Sequence, residues 1–310
     1  MERLPRYRTG DPELDAAIAE LVTRAGAVEH VDLVFEMIVS ALRMARDAAA
    51  RGDFKIANSA LKEMRYAFHV FEPYRGQRKV AIFGSARTMP EDPLYEQARA
   101  FAAAMAERDW MVITGAGPGI MSAGIEGAGT ENSFGVNIRL PFEAATSQFI
   151  ADDPKLINFR YFFTRKLAFI KESHGFVLLP GGFGTMDEAF ELLTLVQTGK
   201  SHPAPIVLLE VPGGTYWASW KRFVEDELMV RRLISPDDLG LVHITDDVDD
   251  AVREIEGFYS NYHSIRFVDR ALVLRLRFDR THWARLRKLI DAINHPSATD
   301  GASRPAPVVA

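Results

Sequence analysis

The sequence predicts an α/β fold, a doubly wound parallel sheet with helices on both faces. From Lys79 onwards, short apolar runs alternate with stretches whose apolar residues recur at helical spacing. This alternation is typical of strand–helix units in which successive strands run parallel. Glycine-rich turns follow several of the apolar runs, and in such folds the ligand binds beyond the carboxyl ends of the strands. We therefore expect the functional residues in these turns.

The predicted strands and helices alternate along the middle of the chain. Apolar runs predict strands at 79–83, 110–114, 133–138, 175–179, 205–210 and 241–244. Helical patterns lie between most of them, near 94–107, 119–128, 161–172, 185–198 and 216–229. The acidic run 246–250 is typical of a helix N-cap followed by first-turn carboxylates.

Other patterns flank this region on both sides. Residues 13–72 have helical spacing, and Pro73 with the residues after it ends the pattern. A strand is predicted at 271–276 and a helix at 282–293, before a tail rich in Pro, Ala and Ser. The predicted regions are a helical N-terminal extension (1–75), the α/β domain (76–257), a strand–helix appendage (258–295) and a disordered tail (296–310).

Composition and charge exclude several classes of function. The net charge of −5 argues against binding to a nucleic acid polymer or an anionic membrane, because both require concentrated positive charge. The chain has no cysteine, which excludes disulfides, thiolate metal sites and cysteine nucleophiles. No apolar stretch approaches the roughly 20 residues of a membrane helix, and residues 1–10 do not form a secretory signal. The expectation is a cytoplasmic protein.

The segment from Pro180 to Glu188 is the most informative motif. It joins a buried strand to a helix, and its glycines let the backbone approach a ligand closely. Together with the helix dipole, the exposed N–H groups at such a helix start favour a phosphate. The hydroxyl of Thr185 adds a donor, and Glu188 places a carboxylate beside the phosphate cradle. The residues predicted to form the cradle are Gly181, Gly182, Gly184 and Thr185.

Three further features fall where a doubly wound fold places its ligand. The first predicted strand ends in Gly84, Ser85, Ala86 and Arg87, and the second ends in the turn 115–119, which is followed by Met121. The match of this turn to a dinucleotide fingerprint is poor, because the third glycine would fall on Ile120. A purely structural turn and a phosphate or ribose cradle both remain open. The candidate residues of these two turns are Gly84, Ser85, Gly115, Gly117, Gly119 and Met121.

Arg165 and Lys166 form the third feature, on the helix before the strand that leads to Gly181. An isolated basic pair is most often a solvated helix face, but a compact strand–helix unit would bring this pair near the Gly181 turn. The eight histidines show no paired spacing for a metal. No metal and no organic cofactor are predicted.

Taken together, these residues resemble the Lonely Guy (LOG) family, the cytokinin riboside 5′-monophosphate phosphoribohydrolases. The family signature P-G-G-x-G-T-x-x-E is matched from Pro180 to Glu188, and its Arg-Lys pair at Arg165 and Lys166. The Gly-Ser turn and the glycine loop followed by methionine are also matched. The resemblance spans about residues 79–250 and is strongest for the long, bacterial-type subgroup.

The sequence departs from the compact members of the family at two places. Residues Phe162, Phe163 and Thr164 stand where those members have Met-His-Glu, and Ala116 interrupts their Gly-Gly-Gly loop. Both changes lie where the base and the sugar are expected, so the choice of base stays open. Some relatives have been labelled lysine decarboxylases, but no lysine here has a setting that suggests a pyridoxal phosphate Schiff base.

The resemblance implies a Rossmann-like nucleotide-binding domain that hydrolyses the N-glycosidic bond of a nucleoside 5′-monophosphate. Glu188 would stabilise the ribosyl cation, Arg165 would position the substrate, and Gly117, Gly182, Gly184 and Thr185 would hold the phosphate. A homodimer or larger homo-oligomer is also implied. The alternatives are a nucleosidase of broader base specificity and a non-catalytic protein that binds a nucleotide or molybdenum cofactor. A pure binder would have no need of the pair formed by Arg165 and Glu188.

Overall fold

The structure is a computed structural model that describes residues 5–26, 29–140, 147–268, 271–277 and 308–309. The chain divides into two compact units, Met1–Lys62 and Glu63–Ala310. The boundary between them falls within the third helix, Arg51–Phe71. In the part of the chain that the structure describes, no helix combines the length and apolar character needed to cross a membrane.

The first unit is helical, as the sequence predicts for this part of the chain. Helix α1 is Pro12–Arg24, α2 is Val31–Arg46, and α3, Arg51–Phe71, begins here. Asp11 caps α1 by accepting hydrogen bonds from the N–H groups of Glu13 and Leu14. Apolar side chains on one face of α1 and one face of α2 pack together in a small core of Ile18, Val22, Phe35 and Val39.

The second unit is built on a sheet of seven parallel strands. The strands are β1 Lys79–Phe83, β2 Met111–Thr114, β3 Ser133–Ile138, β4 Leu156–Phe159, β5 Gly175–Leu178, β6 Ile206–Leu209 and β7 Val242–Thr245. Their spatial order is β4-β3-β2-β1-β5-β6-β7. Strands β1 to β4 follow one another toward one edge of the sheet. The chain then returns to the middle, and β5 to β7 follow one another toward the opposite edge. The order therefore reverses between β1 and β5, which is where doubly wound folds bind their ligands.

Helices cover both faces of this sheet. They are α4 Pro93–Ala106, α5 Ile120–Ala128, α6 Phe162–Glu172, α7 Phe183–Gln197, α8 Tyr216–Phe223 and α9 Val248–Asn261, with a π-helical turn, Val224–Met229, after α8. Side chains alternate along β1, so that Val80 and Ile82 pack against α4, α5 and α9. Ala81 and Phe83 face the opposite core, which contains residues of α6, α7 and α8. Burial on both faces explains why the strands are continuous apolar runs.

The structure confirms the predicted fold class and the six predicted strands of the sheet, with ends that differ by one residue at most. The capping prediction at 246–250 is also confirmed, since Asp247 accepts a hydrogen bond from the N–H of Asp250 at the start of α9. The sheet has one further strand, β4, at its edge. Residues 262–268 form a strand β8, Tyr262–Val268, that pairs antiparallel with β9, Ala271–Leu276.

The predicted strand at 271–276 is confirmed as β9. A two-residue strand β10, Val308–Val309, pairs with it in parallel. The predicted helix at 282–293 lies outside the described residues. The predicted disordered tail, 296–310, does so too, apart from Val308–Val309.

Candidate active site

A pocket of about 830 Å³ lies at the carboxyl ends of β1, β2 and β5, where the strand order reverses. Its walls bring together most of the residues that the sequence singled out, although they are separated by up to about a hundred positions in the chain. The predicted residues on the pocket wall are Gly84, Ser85, Gly115, Met121, Arg165, Gly181, Gly182, Gly184, Thr185 and Glu188.

Backbone hydrogen bonds join the turns that form this pocket. The N–H of Ser85 donates to the carbonyl oxygen of Pro180 at 3.2 Å, which links the turn after β1 to the turn after β5. The carbonyl oxygen of Ser85 accepts from the N–H of Ile120 at 3.0 Å, at the start of α5. Ser85 therefore connects three turns through its main chain, and the relative position of these turns does not depend on a flexible side chain.

The N-terminus of α7 opens into the pocket. Gly182 is the N-cap residue of this helix, and because glycine has no side chain it supplies no capping hydrogen bond. The first N–H groups of a helix have no partner within the helix, so they need another acceptor. A Cβ atom built on Gly182 or on Gly184 would meet no atom of the described chain within 4 Å. The protein itself leaves this space open, and it fits an anion such as phosphate.

Glu188 lies in the second turn of α7 and lines the same pocket. The residue is only 7% exposed, and this burial raises the pKa of Glu188 to about 7. The positive charges of Lys166 and Arg165 oppose this rise without cancelling it. Because such a pKa is close to neutral pH, the group can serve either as a proton donor or as a base.

Lys166 lies beside Glu188 but forms ion pairs with its neighbours on α7. Its Nζ is 2.8 Å from a carboxylate oxygen of Asp187 and 2.6 Å from one of Glu191, and its side chain is 13% exposed. Burial lowers the pKa of Lys166, but the hydrogen bonds to Asp187 and Glu191 outweigh this effect and the pKa is raised. The amine is therefore a fixed cation that joins α6 to α7.

Arg165 reaches the pocket from α6, and contacts with Val136 and Phe169 help to hold it in place. Its Nε donates to the carbonyl oxygen of Val136 at 2.9 Å, and its guanidinium lies 5.4 Å from the ring centre of Phe169. A Cβ atom on Gly115 would lie 2.4 Å from a guanidinium nitrogen of Arg165. Glycine at position 115 therefore leaves room for the guanidinium to lie close to the turn after β2.

Three predicted binding residues are placed outside the pocket wall. Gly119, with φ of +67°, packs under the turn after β1, where a Cβ atom would lie 2.3 Å from the carbonyl oxygen of Ser85. A Cβ atom on Gly117 would lie 2.7 Å from the terminal methyl group of Met121. Both glycines permit close packing of the protein against itself. Lys166 supports Glu188 through α7 and does not line the pocket.

The pocket also contains residues that were not among the predicted site residues. Arg87 follows the Gly84 turn, Phe162 starts α6, Phe183 starts α7, and Tyr216 starts α8. Phe183 is 97% exposed and Phe162 is 51% exposed, so two aromatic faces stand at the rim of the pocket. The sequence of the turn after β1 indicated a cation, Arg87, near the site. No local sequence pattern indicated that Tyr216 belongs to it. Within the described residues there is no group of three metal-binding side chains.

Comparison with known proteins gives a family match over part of the region that carries the site. A family model described as "possible lysine decarboxylase" matches residues 118–255. The cytokinin riboside 5′-monophosphate phosphoribohydrolase LOG1 of Arabidopsis thaliana is 31% identical over 101 residues, which is 33% of this chain and 46% of that protein. LOG3 of the same plant is 33% identical over 94 residues, 30% of this chain and 42% of that protein. These comparisons confirm the resemblance to the LOG family, and the chain matches less than half the length of these relatives.

Matches to solved structures cover more of the chain at lower identity. The molybdenum cofactor binding protein of Rippkaea orientalis covers 59% of this chain and 98% of its own, with 17% identity and a TM-score of 0.42. The molybdenum cofactor carrier protein of Chlamydomonas reinhardtii gives the same coverage and TM-score, with 22% identity.

Proposed function

Since the chain is similar to the LOG phosphoribohydrolases, we propose that it hydrolyses the N-glycosidic bond of nucleoside 5′-monophosphates. The products are a free base and ribose 5-phosphate. The observation that carries this proposal is the position of Glu188, a buried carboxyl group with a pKa of about 7, in the same pocket as the uncapped N-terminus of α7. The start of α7 suits a phosphate, and Glu188 offers a carboxylate to the sugar.

The phosphate is bound in this proposal by the start of α7. The N–H groups that follow Gly182 and the hydroxyl of Thr185 are donors, and the helix dipole adds a favourable field. Arg87, on the pocket wall, adds a positive charge. Because the phosphate lies away from the bond that breaks, its binding energy serves to hold C1′ in position.

At C1′ the reaction exchanges one bond for another. The oxygen of a water molecule bonds to C1′, and the C1′–N bond breaks with its electron pair leaving on the base, which takes up a proton from the solvent. Positive charge develops on C1′ and the ring oxygen, and the ionised carboxylate of Glu188 stabilises it, as carboxylates do in glycoside hydrolysis. The same carboxylate accepts the proton of the attacking water.

Arg165 has a different role, because a guanidinium stays protonated and is not a general base. Its contacts with Val136 and Phe169 fix the guanidinium on the pocket wall. We assign it to positioning the substrate and to assisting the departure of the base. The lysine decarboxylase description is not favoured, because Lys166 is paired with two carboxylates and no lysine is found among the described residues of the pocket wall.

The substrate class includes nucleoside monophosphates with different bases. The relatives are named for a cytokinin riboside 5′-monophosphate, and AMP and N6-modified adenine nucleotides are the first candidates to test. Phe162 and Phe183 offer exposed aromatic faces on which any base can stack. A cytoplasmic location stays a prediction from the sequence.

Self-association is proposed alongside the activity. Phe163 and Leu167, one helical turn apart on α6, are each more than 40% exposed and lie outside the pocket wall. Exposed apolar side chains that cluster in this way are typical of a surface that another protein covers. We propose that a second copy of the chain covers them, and size-exclusion chromatography with light scattering measures the mass.

The test of the activity is direct. The purified protein is incubated with AMP, other nucleoside monophosphates, N6-isopentenyl-AMP and adenosine, and the free base is quantified by chromatography. We expect base release from the monophosphates, a low kcat/KM for adenosine, and a loss of about a hundredfold or more in Glu188→Gln. Glu131→Gln, which changes an exposed glutamate outside the pocket, is the matched control.

Each contrary outcome has a defined meaning. Binding of AMP without any release of base would overturn the enzyme assignment in favour of a nucleotide-binding protein of the same fold. Equal kcat/KM values for adenosine and AMP would show that binding of the phosphate does not help to position C1′.

A further inference from the structure

We propose that Tyr216 is a positioning residue of the phosphate subsite, and this inference rests on the function proposed above. Its hydroxyl group donates a hydrogen bond of 2.6 Å to the carbonyl oxygen of Gly181. Through this bond Tyr216 sets the orientation of the peptide between Gly181 and Gly182, and hence the direction in which the N–H of Gly182 points.

The geometry of the peptide bond gives the hydrogen bond this effect. In a trans peptide, the C=O of one residue and the N–H of the next point in opposite directions within one plane. When Tyr216 holds the carbonyl of Gly181 on the α8 side, the N–H of Gly182 is turned away from α8. We assign this N–H to the phosphate that binds at the start of α7, where Gly182 is the N-cap residue.

The peptide needs an external restraint because glycine flanks it on both sides. Rotation of a peptide plane changes ψ of the residue before it and φ of the residue after it. Glycine allows a wider range of both angles than any other residue. A Cβ atom on Gly182 would meet no atom of the described chain within 4 Å, so packing on that side does not fix the plane either. The hydrogen bond from Tyr216 supplies the missing restraint.

Tyr216 is itself held firmly at the end of β6. The next residue, Trp217, donates its backbone N–H to a carboxylate oxygen of Glu210 and its indole N–H to the carbonyl oxygen of Leu209, both at 3.1 Å. The rings of Tyr216 and Trp217 pack edge to face, with centres 4.8 Å apart. The hydroxyl group is thus presented from a helix start that is anchored to the sheet.

The arrangement connects two elements that the motif alone does not connect. Gly181 belongs to the turn after β5, whereas Tyr216 follows β6, the next strand in the sheet. The turn after β5 is also tied to the turn after β1 by the hydrogen bond between Ser85 and Pro180. Tyr216 therefore closes the anion site from the side opposite to Ser85, and it restrains the one peptide of the turn that lies between two glycines.

The experiment compares Tyr216→Phe, which removes only the hydroxyl group, with the unaltered protein. Steady-state kinetics with AMP give KM and kcat, and calorimetry with inorganic phosphate and with ribose 5-phosphate gives affinity without turnover. We expect KM for AMP and Kd for both phosphate ligands to rise by about three- to tenfold, and kcat to change by less than about twofold. Affinity for adenosine, which has no phosphate, stays unchanged.

Tyr259→Phe is the matched control, because the hydroxyl of Tyr259 also donates to a backbone carbonyl, that of His174, at 2.5 Å. It lies outside the pocket wall and is expected to leave phosphate affinity unchanged. Unchanged phosphate affinity in Tyr216→Phe would overturn the inference, and so would an equal loss of affinity for adenosine. If the unaltered protein binds phosphate ligands but cleaves no nucleotide, the proposed function fails while the calorimetric comparison still decides the role of Tyr216.

Discussion

Lys166 lies 2.8 Å from the carboxylate of Asp187, the residue directly before Glu188. A second ion pair joins the same amine to Glu191, one turn further along α7. The cation is largely shielded from solvent, so its charge acts strongly on the buried carboxyl group between these two partners. Lys166 thereby limits the rise in pKa that burial imposes on Glu188, and it does so without lining the pocket itself.

Removal of this charge is expected to shift the pH dependence of the reaction. The pKa of Glu188 is about 7, and the proposed reaction needs the ionised form, so kcat/KM of the unaltered protein rises with pH through this value. In Lys166→Gln the pKa of Glu188 rises, and the ascending limb of the profile moves to higher pH. Lys171→Gln, which removes a lysine of α6 that is paired with Glu172, is the control and leaves the profile in place. A profile that does not move in Lys166→Gln would show that this charge does not act on the catalytic group.

Glu188 is also expected to lower the stability of the fold at neutral and alkaline pH. Its pKa in the folded state, about 7, lies above the ordinary value of 4.5, so the folded protein binds the proton more tightly than the unfolded chain does. Stability is then lost as pH rises from 4.5 through 7. The shift corresponds to about 3 kcal/mol of unfolding free energy as an order of magnitude.

Urea denaturation of Glu188→Gln measures this effect. The variant cannot ionise at position 188, so its stability should equal that of the unaltered protein near about pH 4 and exceed it near about pH 8. Glu131→Gln should show no difference that depends on pH. An equal advantage of Glu188→Gln at both pH values would mean that packing, and not ionisation, causes the difference.

The sequence predicted the parts of this site that have local signals. Buried parallel strands are continuous apolar runs, and glycine turns mark where they end, so the sheet and most of the pocket wall could be inferred. Strand β4 has no such signal, because it is an edge strand of four residues in which Asn158 is exposed. A short run with a polar residue does not differ from a loop in the sequence.

Residues that act through packing or through distant contacts could not be assigned in this way. Gly119 lies in a glycine-rich turn of the kind that binds ligands. The atom for which it leaves room is instead the carbonyl oxygen of Ser85, 34 positions earlier in the chain. The hydrogen bond from Tyr216 to Gly181 spans 35 positions and leaves no periodic pattern. The same limit applies to Lys166, whose acidic partners on α7 become neighbours only when α6 and α7 pack side by side.

Gly184 is expected to be required by the ligand and not by the fold. A Cβ atom on it would meet no atom of the described chain within 4 Å, and its φ is not positive. In Gly184→Ala the stability should therefore stay the same or rise by up to about 1 kcal/mol, because alanine favours a helix. The affinity for AMP and inorganic phosphate should fall by about tenfold, because the methyl group enters space that the phosphate needs.

Gly52→Ala is the matched control for this prediction. Gly52 also lies in the first turn of a helix, α3, and a Cβ atom on it would likewise meet nothing within 4 Å. Its substitution should change stability in the same direction and leave AMP binding unchanged. Calorimetry measures the affinity for AMP, and thermal denaturation measures the stability. If Gly184→Ala binds AMP as tightly as the unaltered protein, the phosphate binds elsewhere in the pocket.

Gly119 is expected to be required by the fold. It has φ of +67°, and a Cβ atom on it would lie 2.3 Å from the carbonyl oxygen of Ser85, a contact that backbone atoms cannot relieve without moving. Gly129 also has a positive φ, +77°, but open space around it, so Gly129→Ala measures the cost of such a backbone conformation without a clash, about 1–3 kcal/mol. Gly119→Ala should lower the free energy of unfolding by clearly more than this, as measured in urea.

Gly119→Ala should also weaken AMP binding, because a shift of Ser85 disturbs its hydrogen bond to Pro180 beside the phosphate turn. Equal destabilisation by the two substitutions would mean that the contact with Ser85 does not hold the three turns together.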